Sequence, residues 1–132
     1  MTDTQLIQTY FDAFNAGDAD AMAALVSDDV RHHPNQGEVR TGKEAFRAFL
    51  SEMDRAYREE ARDLAIFTGP TGRAAAEFVI HGTYLESQSG LPEATGQVYV
   101  LPVGSFFEIA EDRIIRVSTH YNLADWLQQV GG

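Results

Sequence analysis

The sequence contains no cysteine, and this absence excludes several kinds of site. Without thiols the chain has no disulfide, no cysteine nucleophile and no Cys-ligated zinc or iron–sulfur centre. The lack of cysteine fits the reducing cytoplasm, where we expect this protein to reside. The N-terminus lacks a basic segment followed by an apolar run, so we expect no signal peptide. No run of 18 apolar residues occurs, so we expect no membrane span.

Basic residues are also scarce, because 10 lysines and arginines face 20 aspartates and glutamates. A net charge of -10 repels phosphate backbones and anionic lipid, so nucleic-acid and membrane partners are not expected. A hydrophobic content of 44% is typical of a globular protein rather than a disordered one. The length of 132 residues predicts one domain spanning 1–132.

The first part of the chain predicts two helices. The first helix gathers apolar residues on one face at helical spacing, namely Leu6, Ile7, Tyr10, Phe11 and Phe14. Gly17 can end this helix in a left-handed conformation, and Asp18 can cap the next one. The apolar side of the second, short helix is formed by Met22, Leu25 and Val26.

A short strand and a third helix follow. The strand covers Val30 to His33, where Pro34 stops it, and Asn35-Gln36-Gly37 signals a turn. The segment Thr41-Gly42-Lys43-Glu44 matches a capping box. The helix that it would begin carries apolar residues at helical spacing, namely Phe46, Phe49, Leu50, Met53 and Tyr57.

The second half of the chain changes to the period-two pattern of β-strands. Strands are predicted over 64–67, 73–85, 95–109 and 114–121. Pro102-Val103-Gly104 predicts a bulge or sharp bend in the third of these. Asn122 then caps a closing helix. This order predicts an α+β fold, in which a curved mixed or antiparallel sheet wraps the N-terminal helices into a cone-shaped barrel with a short C-terminal helix.

Candidate functional residues cluster where the first strand ends. An imidazole suits proton abstraction near neutral pH, so His32 or His33 is a candidate general base. Neighbouring strand residues face opposite ways, so only one of them enters the pocket. Tyr10 is either an oxyanion donor or a core tyrosine. Asn35 either orients a carbonyl or an imidazole, or forms an Asx turn.

Further side chains are candidates for lining a ligand pocket, which needs polar tips on an apolar wall. They are Phe14, Tyr57, Phe78, Tyr84, Tyr99, Thr119, Tyr121 and Trp126. Strand alternation places His81 and His120 on the opposite face, and no metal-binding spacing is present. We therefore expect neither a metal nor a cofactor.

Three parts of the sequence resemble the ketosteroid isomerases. They are Tyr10-Phe11-Asp12-Ala13-Phe14-Asn15-Ala16-Gly17-Asp18, Asp28-Asp29-Val30 before the Pro-terminated strand, and Arg40-Thr41-Gly42-Lys43. The chain is similar to the SnoaL-like and ketosteroid isomerase-like branch of the nuclear transport factor 2-like superfamily. This resemblance implies a cone whose mouth takes a small, often polycyclic, ligand, and commonly a homodimer.

The resemblance also implies roles for individual positions. Tyr10 occupies the place of the family's oxyanion-donating tyrosine, and His33 occupies the place of its aspartate base before the proline. The family's second oxyanion donor, a protonated aspartate, falls at Gly104 or Ser105, neither of which is an acid. The chain therefore resembles the uncharacterised ketosteroid isomerase-related proteins and the polyketide cyclases more than the classical steroid isomerases.

Two hypotheses of different class follow. The first is an enzyme that isomerises or cyclises an apolar, steroid- or polyketide-like carbonyl compound by proton transfer without a cofactor, using His33 and Tyr10. The second is a non-catalytic ligand-binding or dimerisation module of the same fold, which the missing acid favours. A hydrolase or dehydratase acting through a pocket-bound water is a third alternative. A small apolar molecule and a second copy of the chain are the expected partners.

Overall fold

The computed structural model describes residues 1–35 and 37–131. Its helices are α1 (Asp3–Asn15), α2 (Ala19–Ala24), α3 (Lys43–Ala56) and α4 (Leu123–Gly131). Its strands are β1 (Val26–His33), β2 (Arg40–Thr41), β3 (Tyr57–Thr68), β4 (Arg73–Tyr84), β5 (Val98–Ala110) and β6 (Arg113–Tyr121). Two helices come first, α3 follows β1 and β2, four consecutive strands come next and a short helix closes the chain, so the predicted α+β class is confirmed. Within the described ranges, no helix is long and apolar enough to cross a membrane.

The six strands form one curled sheet in the order β2-β1-β6-β5-β4-β3. All neighbours are antiparallel except β1 and β6, which are parallel, so the sheet is mixed. The sheet curls around the helices but does not close, because β2 and β3 remain at its two edges. Phe11 of α1 packs on Phe78 of β4 with ring centroids 4.8 Å apart, which places the core on the concave face.

The helix ends match the sequence in one region and depart from it in another. Gly17 has a φ of 68° after α1, and Asp18 caps α2 by accepting the Ala21 N–H at 2.9 Å, as predicted. The capping box predicted at Thr41 is wrong, because Thr41 pairs with Arg31 in the sheet and Gly42 begins α3 without a side-chain cap.

A capping box occurs instead at the start of α1. There the Thr2 hydroxyl accepts the Gln5 N–H at 3.1 Å, and the Gln5 side chain accepts the Thr2 N–H at 2.8 Å. These two hydrogen bonds satisfy two amide donors that have no acceptor inside the helix. At the turn predicted after Pro34, the Gly37 N–H donates a hydrogen bond to the Pro34 carbonyl at 3.1 Å. Gln36, which belongs to the predicted turn, lies outside the described residues.

The first strand boundaries differ from the predicted ones. Val26, predicted in a helix, begins β1 and lies opposite Ile114. Tyr57, predicted in α3, begins β3, so this strand starts seven residues before the expected Leu64. β3 is an edge strand, and its charged residues between 58 and 63 are exposed except Glu59, which lies on the concave side. That mixture hid the period-two pattern.

The predicted bend at Pro102 is also wrong. β5 keeps an unbroken register with β4 through Pro102–Gly104, and its register shift against β6 lies between Glu108 and Ile109. Pro102 lies one residue beyond Val103–Tyr121, the end pair of the β5–β6 ladder. A proline is tolerated there because no β6 residue needs its missing N–H.

Candidate functional site

A cavity of about 410 Å³ opens between the concave face of the sheet and helices α1, α3 and α4. Its wall contains nine of the twelve residues proposed from the sequence, namely Tyr10, Phe14, His32, Asn35, Tyr57, Phe78, Thr119, Tyr121 and Trp126. Most of the other lining side chains are apolar, such as Leu101 and Val103. The structure therefore gathers residues from both ends of the chain around one apolar cavity with a few polar groups.

The histidine that faces this cavity is His32. Its side chain is 5% exposed and lines the cavity, whereas His33 is half-buried and absent from the wall. We favoured His33 as the residue in the cavity because it directly precedes Pro34, and that orientation is wrong. Successive residues of β1 point to opposite faces, so only the residue two positions before the proline turns inward.

His32 lies in an apolar pocket made by α3. Its ring contacts Phe46 and Phe49 edge-on, with centroids 5.3 and 4.6 Å away. Its Nδ1 is buried and has no hydrogen-bond partner among the described residues. Burial, then the positive charge of Arg40 and then that of His33, lower the pKa of His32 to about 4. The imidazole is therefore neutral at neutral pH, and one of its two ring nitrogens carries a lone pair.

Tyr10 reaches the same cavity from α1. Its ring packs edge-on against Phe11 and Phe107, with centroids 5.5 and 5.6 Å away. Burial raises the pKa of the Tyr10 hydroxyl well above its ordinary value, so the group stays protonated. Tyr10 is both a core residue and a candidate donor, because it is buried in the core and also lines the cavity.

Asn35 joins the end of β1 to the end of β6. Its Oδ1 accepts the Tyr121 N–H at 3.0 Å, and its buried Nδ2 has no partner in residues 1–35 and 37–131. The side chain thus spans between strands instead of closing an Asx turn in its own segment. It holds one edge of the cavity in place and leaves a donor there.

Besides His33, two predicted residues do not line the cavity. Tyr84 is fully buried, and its hydroxyl donates to the Pro92 carbonyl at 2.7 Å and accepts the Gln88 N–H at 3.0 Å. It therefore fixes the loop between β4 and β5. The Tyr99 hydroxyl donates to Glu59 Oε2 at 2.5 Å, which places Tyr99 behind the wall.

Sequence reasoning missed a carboxyl group in the wall, Glu59 of β3. Burial raises its pKa, and the hydrogen bond from Tyr99 partly opposes that rise. The alternation of Tyr57, Glu59 and Ala61 could have revealed its inward direction, had Tyr57 not been included in the helix.

The place of the family's second oxyanion donor falls at Gly104 or Ser105, and Ser105 is the one that lines the cavity. Its hydroxyl lies 3.3 Å from that of Thr119, on the neighbouring strand. This corner of the cavity therefore offers paired hydroxyls where the classical isomerases have a carboxylic acid.

The chain was compared with known families and structures. A family model described as a SnoaL-like domain matches residues 7–117. A provisionally named polyketide cyclase from Pseudomonas putida KT2440 is 51% identical, with 98% of each chain covered and a TM-score of 0.97. Another from Silicibacter sp. TM1040 is 52% identical, with 98% of this chain and 96% of that one covered and a TM-score of 0.96.

More distant similarity supports the fold alone. A protein of ketosteroid isomerase-like fold from Catenulispora acidiphila is 16% identical, with a TM-score of 0.72 over 96% of this chain and 92% of that one. No curated protein matches the chain. The match over residues 7–117 and the curled sheet around α1 lead to the same assignment. The chain belongs to the SnoaL-like domain family, within the ketosteroid isomerase-like fold.

Proposed function

We propose that this protein is a cofactor-free isomerase or cyclase that moves a proton on an apolar, steroid- or polyketide-like carbonyl compound. The observation that carries the proposal is that His32 and Tyr10 line one apolar cavity, where the buried Nδ1 of His32 has no partner among the described residues. The base is His32 rather than the expected His33, because only His32 lies in the wall.

The two groups divide the chemistry between them. His32 accepts the proton from the carbon next to the substrate carbonyl, and the C–H electron pair moves towards the carbonyl oxygen. Tyr10 donates a hydrogen bond to that oxygen as its negative charge develops. The imidazolium that forms lies in an apolar pocket near Arg40, so it readily returns the proton to another carbon of the substrate. The imidazole thus takes and returns a proton within one cavity, and its N–H can exchange with solvent between the two steps.

The first test is a thermal-shift screen against steroids, polyketide-like aromatics and small terpenoids. Each ligand found is then incubated with the protein in D₂O, and deuterium uptake beside its carbonyl is followed by NMR. We expect uptake with the wild-type protein, a loss of about 100-fold in Tyr10→Phe and no catalysed uptake in His32→Phe. His33→Phe, which changes the neighbouring residue outside the wall, should retain activity.

The outcomes separate the two hypotheses. Catalysed uptake that survives in His32→Phe contradicts the assigned base. The non-catalytic binding module is supported instead if a ligand stabilises the wild-type protein but not Tyr10→Phe, and its hydrogens never exchange. The hydroxyl pair at Ser105 and Thr119, in place of an acid, is the observation that keeps this second candidate in view.

We also propose that the protein forms a homodimer through the convex face of its sheet. On that face Phe67, Ala75 and Phe106 lie side by side on β3, β4 and β5, and the two phenylalanines are 58% and 49% exposed. Val98 and Val100 extend this apolar surface along β5. Two copies that each carry a net charge of -10 approach most favourably through an apolar patch of this kind.

Phe106→Glu should convert the dimer to a monomer, because it places a charge at the centre of the apolar face. Val39→Glu is the matched control, since Val39 is 56% exposed but lies outside the sheet. Light scattering after size-exclusion chromatography measures the mass of each variant. A monomeric wild-type protein, or a dimer that persists in Phe106→Glu, contradicts this interface.

A further inference from the structure

Glu59 is held by an arrangement that spans three strands. Glu59, Gly82 and Tyr99 lie side by side in register on β3, β4 and β5. A Cβ at Gly82 would overlap the Tyr99 ring, so the absence of a side chain lets that ring lie across β4. The Tyr99 hydroxyl thereby reaches Glu59 Oε2 at 2.5 Å and fixes the carboxyl group.

This carboxyl group has no cationic partner. No lysine, arginine or histidine of the described residues forms an ion pair with Glu59. Arg62 pairs instead with Glu60, the exposed neighbour of Glu59. Placing an acid in an apolar wall without a cation is costly, and burial accordingly raises the pKa of Glu59. Ionisable groups with perturbed pKa values concentrate at functional sites.

The surroundings of Glu59 suit a ligand rather than bulk solvent. Glu59 lies in the wall of the 410 Å³ cavity and of a neighbouring, more open cavity of about 460 Å³. Tyr57 and Trp126 line the 410 Å³ cavity with it, with ring centroids 6.1 Å apart. Tyr121 belongs to the same wall, and burial together with the charge of Glu59 raises its pKa. Aromatic rings and the carboxyl group of Glu59 thus converge on the same space.

We propose that Glu59 binds a hydrogen-bond-donating end of the substrate, a hydroxyl or an ammonium group, while His32 and Tyr10 act on its carbonyl end. This inference rests on the proposed function of the cavity. His32 and Glu59 come from β1 and β3, which three strands separate in the sheet. The substrate is therefore a compound with an apolar body, an acceptor at one end and a donor at the other.

The test compares small probes of nearly equal shape by calorimetry. 2-Naphthol offers an O–H donor, 2-naphthylmethylamine offers an ammonium group, and 2-methoxynaphthalene offers no donor. We expect the wild-type protein to bind at least one of the two donors about tenfold or more tightly than 2-methoxynaphthalene, as one hydrogen bond to a charged group allows. If 2-naphthol binds more tightly than 2-methoxynaphthalene, the group that Glu59 binds is a hydroxyl. If 2-naphthylmethylamine does, it is an ammonium group.

Variants then locate the preference. Glu59→Leu should abolish it, so that neither donor binds more tightly than 2-methoxynaphthalene. Glu59→Gln keeps the hydrogen bond from Tyr99 possible and retains an acceptor, so it should weaken ammonium binding more than hydroxyl binding. Glu60→Gln, the exposed neighbour, should behave as the wild-type protein does.

Three results overturn the inference: equal affinity of the wild-type protein for all probes, no binding of either donor, or a donor preference that survives in Glu59→Leu. His32→Phe distinguishes this inference from the proposed function. A donor preference that depends on Glu59, without deuterium exchange that depends on His32, refutes the chemistry and keeps the binding role. The converse result refutes only Glu59.

Discussion

Lowering the pH from 7 to 4 should destabilise the protein by about 3 kcal/mol through His32 alone. In the unfolded chain His32 takes up a proton with the ordinary pKa of 6.5, whereas the folded protein keeps it neutral down to about 4. Between these values the unfolded state binds more protons, so acid favours unfolding. The contribution of His32 to the free energy of unfolding is fully present above pH 6.5 and is lost as the pH falls to about 4.

The measurement is urea unfolding of the wild-type protein and of His32→Phe at pH 7 and pH 4, at one protein concentration. Between pH 7 and pH 4 the wild-type protein should lose about 3 kcal/mol more unfolding free energy than His32→Phe does. The comparison is needed because Glu59 acts in the opposite direction: its raised pKa favours the folded state as the pH falls. His33→Phe should keep most of the wild-type dependence. Identical pH dependence in wild type and His32→Phe would refute the buried, neutral imidazole.

The same variant separates folding from function. A phenyl ring fits the apolar surroundings of Phe46 and Phe49, and it removes the buried Nδ1 that has no partner in the described residues. Replacing an unpaired buried polar group with an apolar one is nearly neutral or stabilising. His32→Phe should therefore be at least as stable as the wild-type protein at pH 7 and yet inactive. A residue that costs stability and supports turnover is retained for its chemistry.

The features predicted well from the sequence are those that depend on local residue patterns. The apolar face of α1, its end at Gly17 and the cap at Asp18 each follow from a few neighbouring residues, and all three are present. The grouping of nine candidate residues around one cavity also followed, because a curled sheet brings its concave side chains together.

The features that were missed depend on contacts between distant segments. The inward direction of His32 is set by the parallel pairing of β1 with β6, which a single strand pattern does not reveal. Thr41 lost its capping role because the sheet recruited it into β2. Glu59 escaped notice since its alternation with Ala61 begins at Tyr57, whose spacing also fits α3. In each case tertiary pairing overrode a local signal.

Gly72→Ala should destabilise the protein by about 3 kcal/mol or more, through two separate effects. Gly72 has a φ of 71°, in the left-handed region that costs an L-residue about 1 kcal/mol or slightly more. In addition, a Cβ at this position would collide with the carbonyl oxygen of Ile109. That contact involves backbone on both sides, since the Ile109 N–H also donates to the Gly72 carbonyl at 2.7 Å.

Gly17→Ala isolates the collision from the backbone strain. Gly17 has nearly the same φ, 68°, but a Cβ there would meet no atom within 4 Å. This control should lose only about 1 kcal/mol in urea unfolding, so the difference between the two variants measures the clash alone. Equal losses would mean that the β3–β4 turn moves away from Ile109 at little cost. A larger loss in Gly72→Ala means that the turn is held against Ile109, at the register shift of β5. Phe107, two residues before Ile109 on β5, packs its ring against that of Tyr10.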